Sequence, residues 1–207
     1  MKHGRLSWAK PEELTAEQRE LYDRIVGGPR ARDGGAVELV DEQGRLHGPF
    51  NAMLVAPRLG DPLQALGGAI RYETTLDVRV REIAILVVAA ERQSSFEWYF
   101  HERVGRQGGL NERELQDILR GEAASSFNEC ERIVFGTVTR LLRQRDLDDE
   151  AFERGVSVLG RAGLMELVTL TGYYDLLALH LRVWRTPLPD GEIDPFAAAS
   201  DSSGAPN

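Results

Sequence analysis

Apolar residues recur three and four positions apart along most of the chain, which is the spacing that one face of an α-helix requires. A strand-like alternation of apolar and polar residues is confined to residues 36–40. The pattern therefore predicts an all-α protein with about eight helices. The clearest apolar stripe comprises Phe127, Cys130, Ile133, Val134, Val138, Leu141 and Leu142.

The most apolar part of the chain, residues 80–90, contains one acidic residue, Glu82. A helix that is apolar nearly all round is buried among other helices. We therefore predict that this segment forms the central helix and carries Glu82 into the core. The next helix is predicted to begin at Ser94 and to carry Glu97 and His101.

Helix starts are indicated by capping residues followed three positions later by Glu or Gln, or directly by proline. Glycine pairs and Gly160 predict helix ends. The predicted caps and capping boxes are Thr15 with Gln18, Asp61 with Pro62, Asp77, Asn111 with Glu114, Ser126 with Glu129, and Asp148 or Asp149.

These signals divide the chain into four segments. Residues 1–28 form an N-terminal arm and helix, and residues 29–50 form a loop or lid rich in glycine and charge. Residues 51–186 form the helical domain. Residues 187–207 form a C-terminal tail that is predicted to be disordered from its composition.

Composition excludes several classes of function. The net charge is −8, and no basic run is present, which argues against a nucleic-acid partner. The apolar runs are too short to span a membrane, and residues 1–14 lack the apolar core of a signal peptide. A single cysteine, Cys130, excludes both an intrachain disulfide and a CxxC pair. We interpret the chain as cytoplasmic.

Glu97 and His101 are four residues apart, which places them on one face of a helix. A carboxylate beside an imidazole holds the ring in one tautomer and raises its basicity, so the pair is a candidate for proton transfer. The alternative is structural, because Ser94 and Glu97 also have the spacing of a capping box. The spacing alone leaves both interpretations open.

Residues 46–185 resemble the carboxymuconolactone decarboxylase family, which includes the alkylhydroperoxidase D proteins. The resemblance lies in a GPFN segment at residues 48–51, the stretch from Arg71 to Leu76, the helix REIAIL at residues 81–86, and a helix start EWxxH before GGL. It implies a helical bundle that assembles as a homo-trimer or hexamer. It also implies that Glu82 and His101 share a hydrogen bond, directly or through water.

In the peroxidase branch of that family, a glutamate and a histidine accompany two cysteines with a second histidine between them. Placed on this sequence, the glutamate falls on Glu82 and the later histidine on His101, while the cysteines fall on Ser94 and Glu97. A hydroxyl cannot replace a thiol in peroxide reduction through a sulfenic acid. Peroxidase activity is therefore disfavoured, and Cys130 is interpreted as a packed residue.

The chain thus resembles the decarboxylase branch. The resemblance implies a cofactor-free lyase or isomerase acting on a small carboxylate or lactone, with His101 as the acid and Glu97 or Glu82 orienting it. The candidate substrate-binding residues are Arg71, Arg81, His47 and Ser94, with the alternative that the arginines and His47 are merely exposed. No metal-binding motif is present. A non-catalytic oligomer remains the other alternative.

Overall fold

The computed structural model describes residues 2–32 and 38–197, with the side chains of residues 31 and 32 excepted. The chain is all-α, as the apolar periodicity predicts. The helices are α1 (Ala16–Gly27), α2 (Pro29–Arg32), α3 (Pro49–Met53), α4 (Pro57–Tyr72), α5 (Val78–Arg92), α6 (Ser95–Gln107), α7 (Glu112–Leu119), α8 (Glu129–Gln144) and α9 (Asp149–Trp184).

Helix α5 is the centre of the bundle and packs against α6, α7, α8 and α9. Its residues 80–89 are buried on every side, which confirms the central helix predicted from the apolar run. Because burial of each large aliphatic side chain contributes about 1.5–3 kcal/mol, this helix supplies much of the hydrophobic stabilisation. Glu82 is fully buried within it.

The N-terminal arm forms a small antiparallel hairpin that the pattern did not predict. Strands β1 (Lys2–His3) and β2 (Leu6–Ser7) are two residues each, too short to show an alternation. The Arg5 amide donates to the Trp184 carbonyl at 2.8 Å, so the hairpin is attached to the end of α9.

Most of the predicted caps are present, including the boxes at Thr15 and Asn111 and the caps of Asp77 and Asp148. The box predicted at Ser126 is wrong. Helix α8 begins two residues later, where Asn128 caps the Glu131 amide. The Ser126 hydroxyl instead donates to a carboxylate oxygen of another helix start.

The helix start predicted at Asp61 is also wrong. Helix α4 begins at Pro57, which occupies the first helical position, and Pro62 therefore lies inside the helix. Asp61 forms an ion pair with Arg24 at 2.9 Å, so its carboxylate contacts another helix and not a helix start.

Gly160 interrupts α9, as predicted, with a φ of 70° and a ψ of 169° that are not helical. The strand-like segment at residues 36–40 is only partly described, because Val37 lies outside the described residues. Val40 pairs with Leu46 in one isolated β-bridge. In the described part of the chain, none of the helices is long and apolar enough to cross a membrane.

The first part of the C-terminal tail is ordered against α6. The Ser95 hydroxyl donates to Asp194 at 2.7 Å, and Arg103 forms an ion pair with Glu192 at 2.8 Å. The tail therefore packs against the helices beyond residue 187. Composition alone does not reveal polar contacts of this kind. Residues 198–207, where disorder was also predicted, lie outside the described residues.

Candidate functional site

A cavity of about 70 Å³ lies between α4, α6 and α9, and residues of α2, α3 and the segment before α3 complete its wall. We call it the histidine cavity. Aromatic rings form a large part of its walls, and the polar groups among its lining residues come from two arginines, one glutamate, one histidine and two tyrosines. The lining residues are Arg30, Leu39, Pro49, Phe50, Gly67, Arg71, Phe96, Glu97, Phe100, His101, Tyr173, Tyr174 and Leu177.

His101 and Glu82 form a buried hydrogen-bonded pair. The distance from His101 Nδ1 to Glu82 Oε2 is 2.6 Å, so the hydrogen bond expected from the resemblance is present. Glu82 lies behind the ring and away from the cavity, where its other oxygen contacts Arg81 Nε at 3.4 Å. The pair therefore places a histidine on the wall of the cavity and a carboxylate in the core behind it.

The surroundings of this pair favour a carboxylate and a neutral imidazole. Burial raises the pKa of Glu82, but the charge and hydrogen bond of His101, with the charges of Arg81 and Arg71, outweigh it and leave that pKa below its usual range. Burial lowers the pKa of His101 more than Glu82 raises it. We therefore assign the proton to Nδ1, which donates to Glu82, and leave Nε2 as a proton acceptor for a ligand.

Glu97 lines the same cavity in the opposite protonation state. Burial raises the pKa of Glu97 to about 8, an effect that Ser94 opposes only in part and that Asp175 increases. Neither carboxylate oxygen has a hydrogen-bond partner of ordinary geometry among the described residues. Glu97 is therefore an un-ionised carboxylic acid at neutral pH, with both carboxyl oxygens buried.

The capping-box interpretation of Ser94 and Glu97 is wrong. The Ser94 side chain makes no cap hydrogen bond at the start of α6. Glu97 also forms no hydrogen bond with His101, although both side chains lie on one helix face and line the cavity. The imidazole is held instead by Glu82 from α5, because that carboxylate reaches Nδ1 from the core.

The two predicted arginines occupy different positions. Arg71 lines the histidine cavity, with its guanidinium 5.3 Å from the centre of the Phe100 ring. Arg81 does not line the cavity and is buried behind it, where its Nη1 donates to the Arg71 carbonyl at 2.8 Å. The alternative of an exposed charge is thus wrong for Arg81, which instead neutralises Glu82.

His47 and Ser94 do not line the histidine cavity. The His47 ring lies 5.4 Å from Trp8 and 6.3 Å from His3, in a cluster that joins the N-terminal hairpin to the segment before α3. Ser94 lines a neighbouring cavity instead. For neither residue does the structure support a direct contact with a ligand of the histidine cavity.

The sequence interpretation missed Arg30 and the two tyrosines of α9. Arg30 lies 5.3 Å from the Phe50 ring centre, and Tyr174 meets the His101 ring edge-on at 5.0 Å. A pair of tyrosines in an apolar helix could have indicated a wall with polar atoms. No sequence pattern indicated Arg30, because it belongs to a loop-like stretch whose position depends on the fold.

Two glycines allow the walls of the cavity to approach one another closely. A Cβ at Gly67 would overlap the Tyr173 hydroxyl, and a Cβ at Gly48 would overlap the Phe96 ring. Gly48 also has a φ of 60°, which a side chain disfavours. A larger residue at either position would displace an aromatic wall.

Cys130 is half-buried on α8 and does not line the histidine cavity. Burial raises the pKa of its thiol, which disfavours the reactive thiolate. Within residues 2–32 and 38–197, the structure contains no group of three or more histidine, cysteine, aspartate or glutamate side chains placed to hold a metal ion.

Comparison with solved structures places the fold among known proteins. A protein of unknown function from Agrobacterium tumefaciens, provisionally described as the antioxidant defence protein AhpD, is similar over 69% of this chain and 98% of its own, with a TM-score of 0.60 and 18% identity. A single-residue variant of the debrominase Bmp8, in complex with 2,3,4-tribromopyrrole, is similar over 90% of this chain and 91% of its own, with a TM-score of 0.63 and 11% identity.

At these identities the two structures show a shared fold. No curated protein matches the chain. The model of the carboxymuconolactone decarboxylase family matches residues 57–150, which include α4, α5, α6, α7 and α8 and therefore Glu82, Glu97 and His101. Over this helical region the chain is similar to the carboxymuconolactone decarboxylase family, and with a single cysteine it lacks the paired cysteines of that family's peroxidase branch.

Proposed function

We propose that the protein is a cofactor-free lyase or isomerase that acts on a small carboxylated, lactone-like substrate by acid–base chemistry. The observation that carries the proposal is the pair of opposite protonation states in one cavity. His101 is a neutral base and Glu97 is a protonated acid. Neighbouring groups whose pKa values are moved apart in this way are typical of acid–base sites.

The charge of the cavity supports an anionic substrate. Arg30 and Arg71 are cations, whereas Glu97 is un-ionised, so the described lining residues carry a net positive charge at neutral pH. An arginine pairs well with a carboxylate because its planar fork matches the two oxygens. The aromatic walls favour a flat ring or an unsaturated ring as the remainder of the substrate.

In a decarboxylation, the bond between the ring carbon and the substrate carboxylate breaks and releases carbon dioxide. The electron pair enters the unsaturated lactone as a dienolate, and Glu97 then donates its proton to the ring carbon. The Glu97 carboxylate recovers a proton from solvent. In an isomerisation, His101 Nε2 removes a proton from one carbon and Glu97 supplies one to another; His101 then releases its proton to solvent and Glu97 takes one up, which restores both groups.

These roles differ from those expected from the resemblance, in which His101 is the acid. The difference arises because the His101 proton at Nδ1 is directed to Glu82, away from the cavity. Glu82 remains a positioning residue that fixes the ring and stabilises the imidazolium when a proton is taken up. Glu97, which replaces a cysteine of the peroxidase branch, becomes the proton donor.

The debrominase neighbour was crystallised with 2,3,4-tribromopyrrole, a flat aromatic ring. At 11% identity, the similarity shows a shared fold and does not show a shared chemistry. The substrate class proposed for this chain depends on its own arginines, His101 and Glu97.

The test is turnover of a panel of lactone carboxylates, followed by carbon dioxide release and by loss of substrate absorbance. We expect kcat/KM to fall above about pH 8, where Glu97 ionises. For an isomerisation it should also fall at acid pH, where His101 becomes charged and can no longer accept a proton. Glu97→Gln should lower activity about a hundredfold or more and remove the alkaline limb. An unchanged profile in that variant would exclude Glu97 as the acid.

We also propose that the protein is a homo-oligomer, as the family resemblance implies. Helix α9 has an outward apolar stripe, and its members Leu176 and Leu179 are 41% and 57% exposed. Gly172 lies on the same side, where an added Cβ would meet no other atom within 4 Å in the described chain. Exposed apolar stripes of this kind mark association surfaces.

We expect light scattering to show a trimer or hexamer at micromolar concentration, and Leu179→Glu to shift it toward the monomer. Leu59→Glu, at a leucine of α4 that is 65% exposed, is the matched control and should leave the assembly unchanged. A monomeric wild type would contradict the proposal.

A further inference from the structure

The Tyr173 hydroxyl is a polar group of the histidine cavity that the proposed reaction leaves without a role. Tyr173 lies on α9 and is 5% exposed. Its hydroxyl makes no hydrogen bond within the described residues, and it is not among the buried polar atoms that those residues fully enclose. A hydroxyl without a partner is unfavourable inside a protein, so one that opens on a cavity is placed to donate to a bound molecule.

Gly67 of α4 provides the space in which this hydroxyl lies. A Cβ at Gly67 would overlap the Tyr173 hydroxyl and would lie 2.8 Å from Nη2 of Arg30, so both groups converge on the space that the absent side chain leaves. Gln64 holds the arginine there, because its carbonyl oxygen accepts a hydrogen bond from Nη2 at 3.1 Å. An O–H donor and a cation therefore lie side by side on one wall of the histidine cavity.

The Tyr173 hydroxyl keeps its proton at neutral pH. Burial raises the pKa of Tyr173 to about 12, an effect that the charge of Arg30 opposes and that of Glu97 increases. A phenol with such a pKa is a weak acid, and its protonated oxygen is a weak base. Tyr173 is therefore suited to donate a hydrogen bond and not to transfer a proton.

Both reactions proposed above place negative charge on the same substrate atom. When the bond to the carboxylate breaks, or when His101 removes a proton from carbon, the electron pair moves through the unsaturated ring to the lactone carbonyl oxygen. The pair returns to carbon when the ring is protonated, and the carbonyl forms again. A donor directed at this oxygen stabilises the enolate more than the substrate, which is the condition for a faster reaction.

We propose that Tyr173 donates a hydrogen bond to the carbonyl oxygen of the substrate, and that Arg30 beside it supplies positive charge to the same oxygen. The inference rests on the proposed function, because it names the groups that stabilise the enolate of that reaction. The aromatic walls keep water away from this oxygen, and a fixed donor is worth more there than in water. Tyr173 is thus a catalytic residue that ends the reaction unchanged.

Tyr173→Phe should lower kcat about a hundredfold, the usual effect of removing one such donor, and change KM little. Stability should not fall, because phenylalanine keeps the ring and the lost hydroxyl has no partner in the described chain. Tyr99→Phe is the matched control, since Tyr99 belongs to α6 and does not line the cavity. An unchanged kcat in Tyr173→Phe, or a fall in kcat that a loss of thermal stability accompanies, would overturn the inference.

Binding of 4-nitrophenolate tests the same donor without turnover. This probe is a flat ring with an oxyanion, and it offers no bond for the proposed reactions to break. We expect the wild type to bind the anion more tightly than the neutral phenol, so that the absorbance of the anion appears at a lower pH in the complex than in water. Tyr173→Phe should weaken anion binding about tenfold or more, the effect of losing one hydrogen bond to a charged group, and Tyr99→Phe should not.

The two measurements separate this inference from the proposed function. An absence of anion binding to the wild type, or an equal Kd for the anion in Tyr173→Phe, would overturn the inference even if lactone carboxylates are turned over. Anion binding that depends on Tyr173, in a protein that turns over none of those substrates, would support the oxyanion site and refute only the proposed reaction.

Discussion

For a substrate that is isomerised, replacing His101 by asparagine should lower turnover by about 10²–10⁴-fold, the usual contribution of a general base. The asparagine amide can occupy the position of Nδ1 and donate to Glu82 in place of the ring. What it removes is Nε2, the proton acceptor on the cavity side. Activity measured by substrate loss, together with thermal unfolding, separates this chemical effect from a structural one.

His101→Leu is the structural comparison for that variant. Leucine cannot donate to Glu82, so a fully buried carboxylate loses one of its partners and stability should fall by about 1–3 kcal/mol relative to asparagine. Both variants should be equally inactive if the ring is the base. Full isomerase activity in His101→Asn would exclude His101 as the base. The double variant with Glu97→Gln should lose much less than the sum of the singles.

Glu97→Gln should stabilise the protein at alkaline pH and change little at pH 5. The folded pKa of Glu97, about 8, lies above its unfolded value of 4.5, so the folded state binds the proton more tightly. Stability is then greatest at low pH and falls by about 1.4 kcal/mol per pH unit between these two values. From pH 5 to pH 9 the wild type should lose up to about 4 kcal/mol that the glutamine variant keeps.

For a chain of this size, that difference corresponds to a shift in Tm of roughly 10 °C. Chemical or thermal unfolding at pH 5, 7 and 9 measures it. Glu153→Gln, at an exposed glutamate of α9, is the control and should follow the wild type at each pH. Parallel pH profiles for wild type and Glu97→Gln would show that Glu97 is ionised in the folded protein.

The central helix and the Glu82–His101 hydrogen bond were the parts of this site that could be predicted from the sequence. An apolar run that contains one acid requires the acid to be buried, and a buried acid requires a partner. The resemblance supplied that partner, since the family places a histidine at the position of His101. Local pattern and family motif therefore agreed at the most buried point of the chain.

The environment of Glu97 could not be predicted, because it depends on side chains from other elements. Its spacing from Ser94 suggested a cap and its spacing from His101 suggested a pair, and neither contact is formed. What decides its protonation is burial among the aromatic walls of the cavity, which α6 and α9 bring together. Arg30 was missed for the same reason.

Helix α9 contributes to the cavity and to the surface at once. Tyr173 and Tyr174 line the histidine cavity, and Leu176 and Leu179 face outward within the next five residues, about 7.5 Å along the helix. If a second copy covers those leucines, a ligand in the cavity contacts the same helix, α9, that forms the contact between the two copies. Substrate saturation would then be sigmoidal in the assembly and hyperbolic in a Leu179→Glu monomer. The Hill coefficient would therefore measure the coupling between the cavity and the contact between copies.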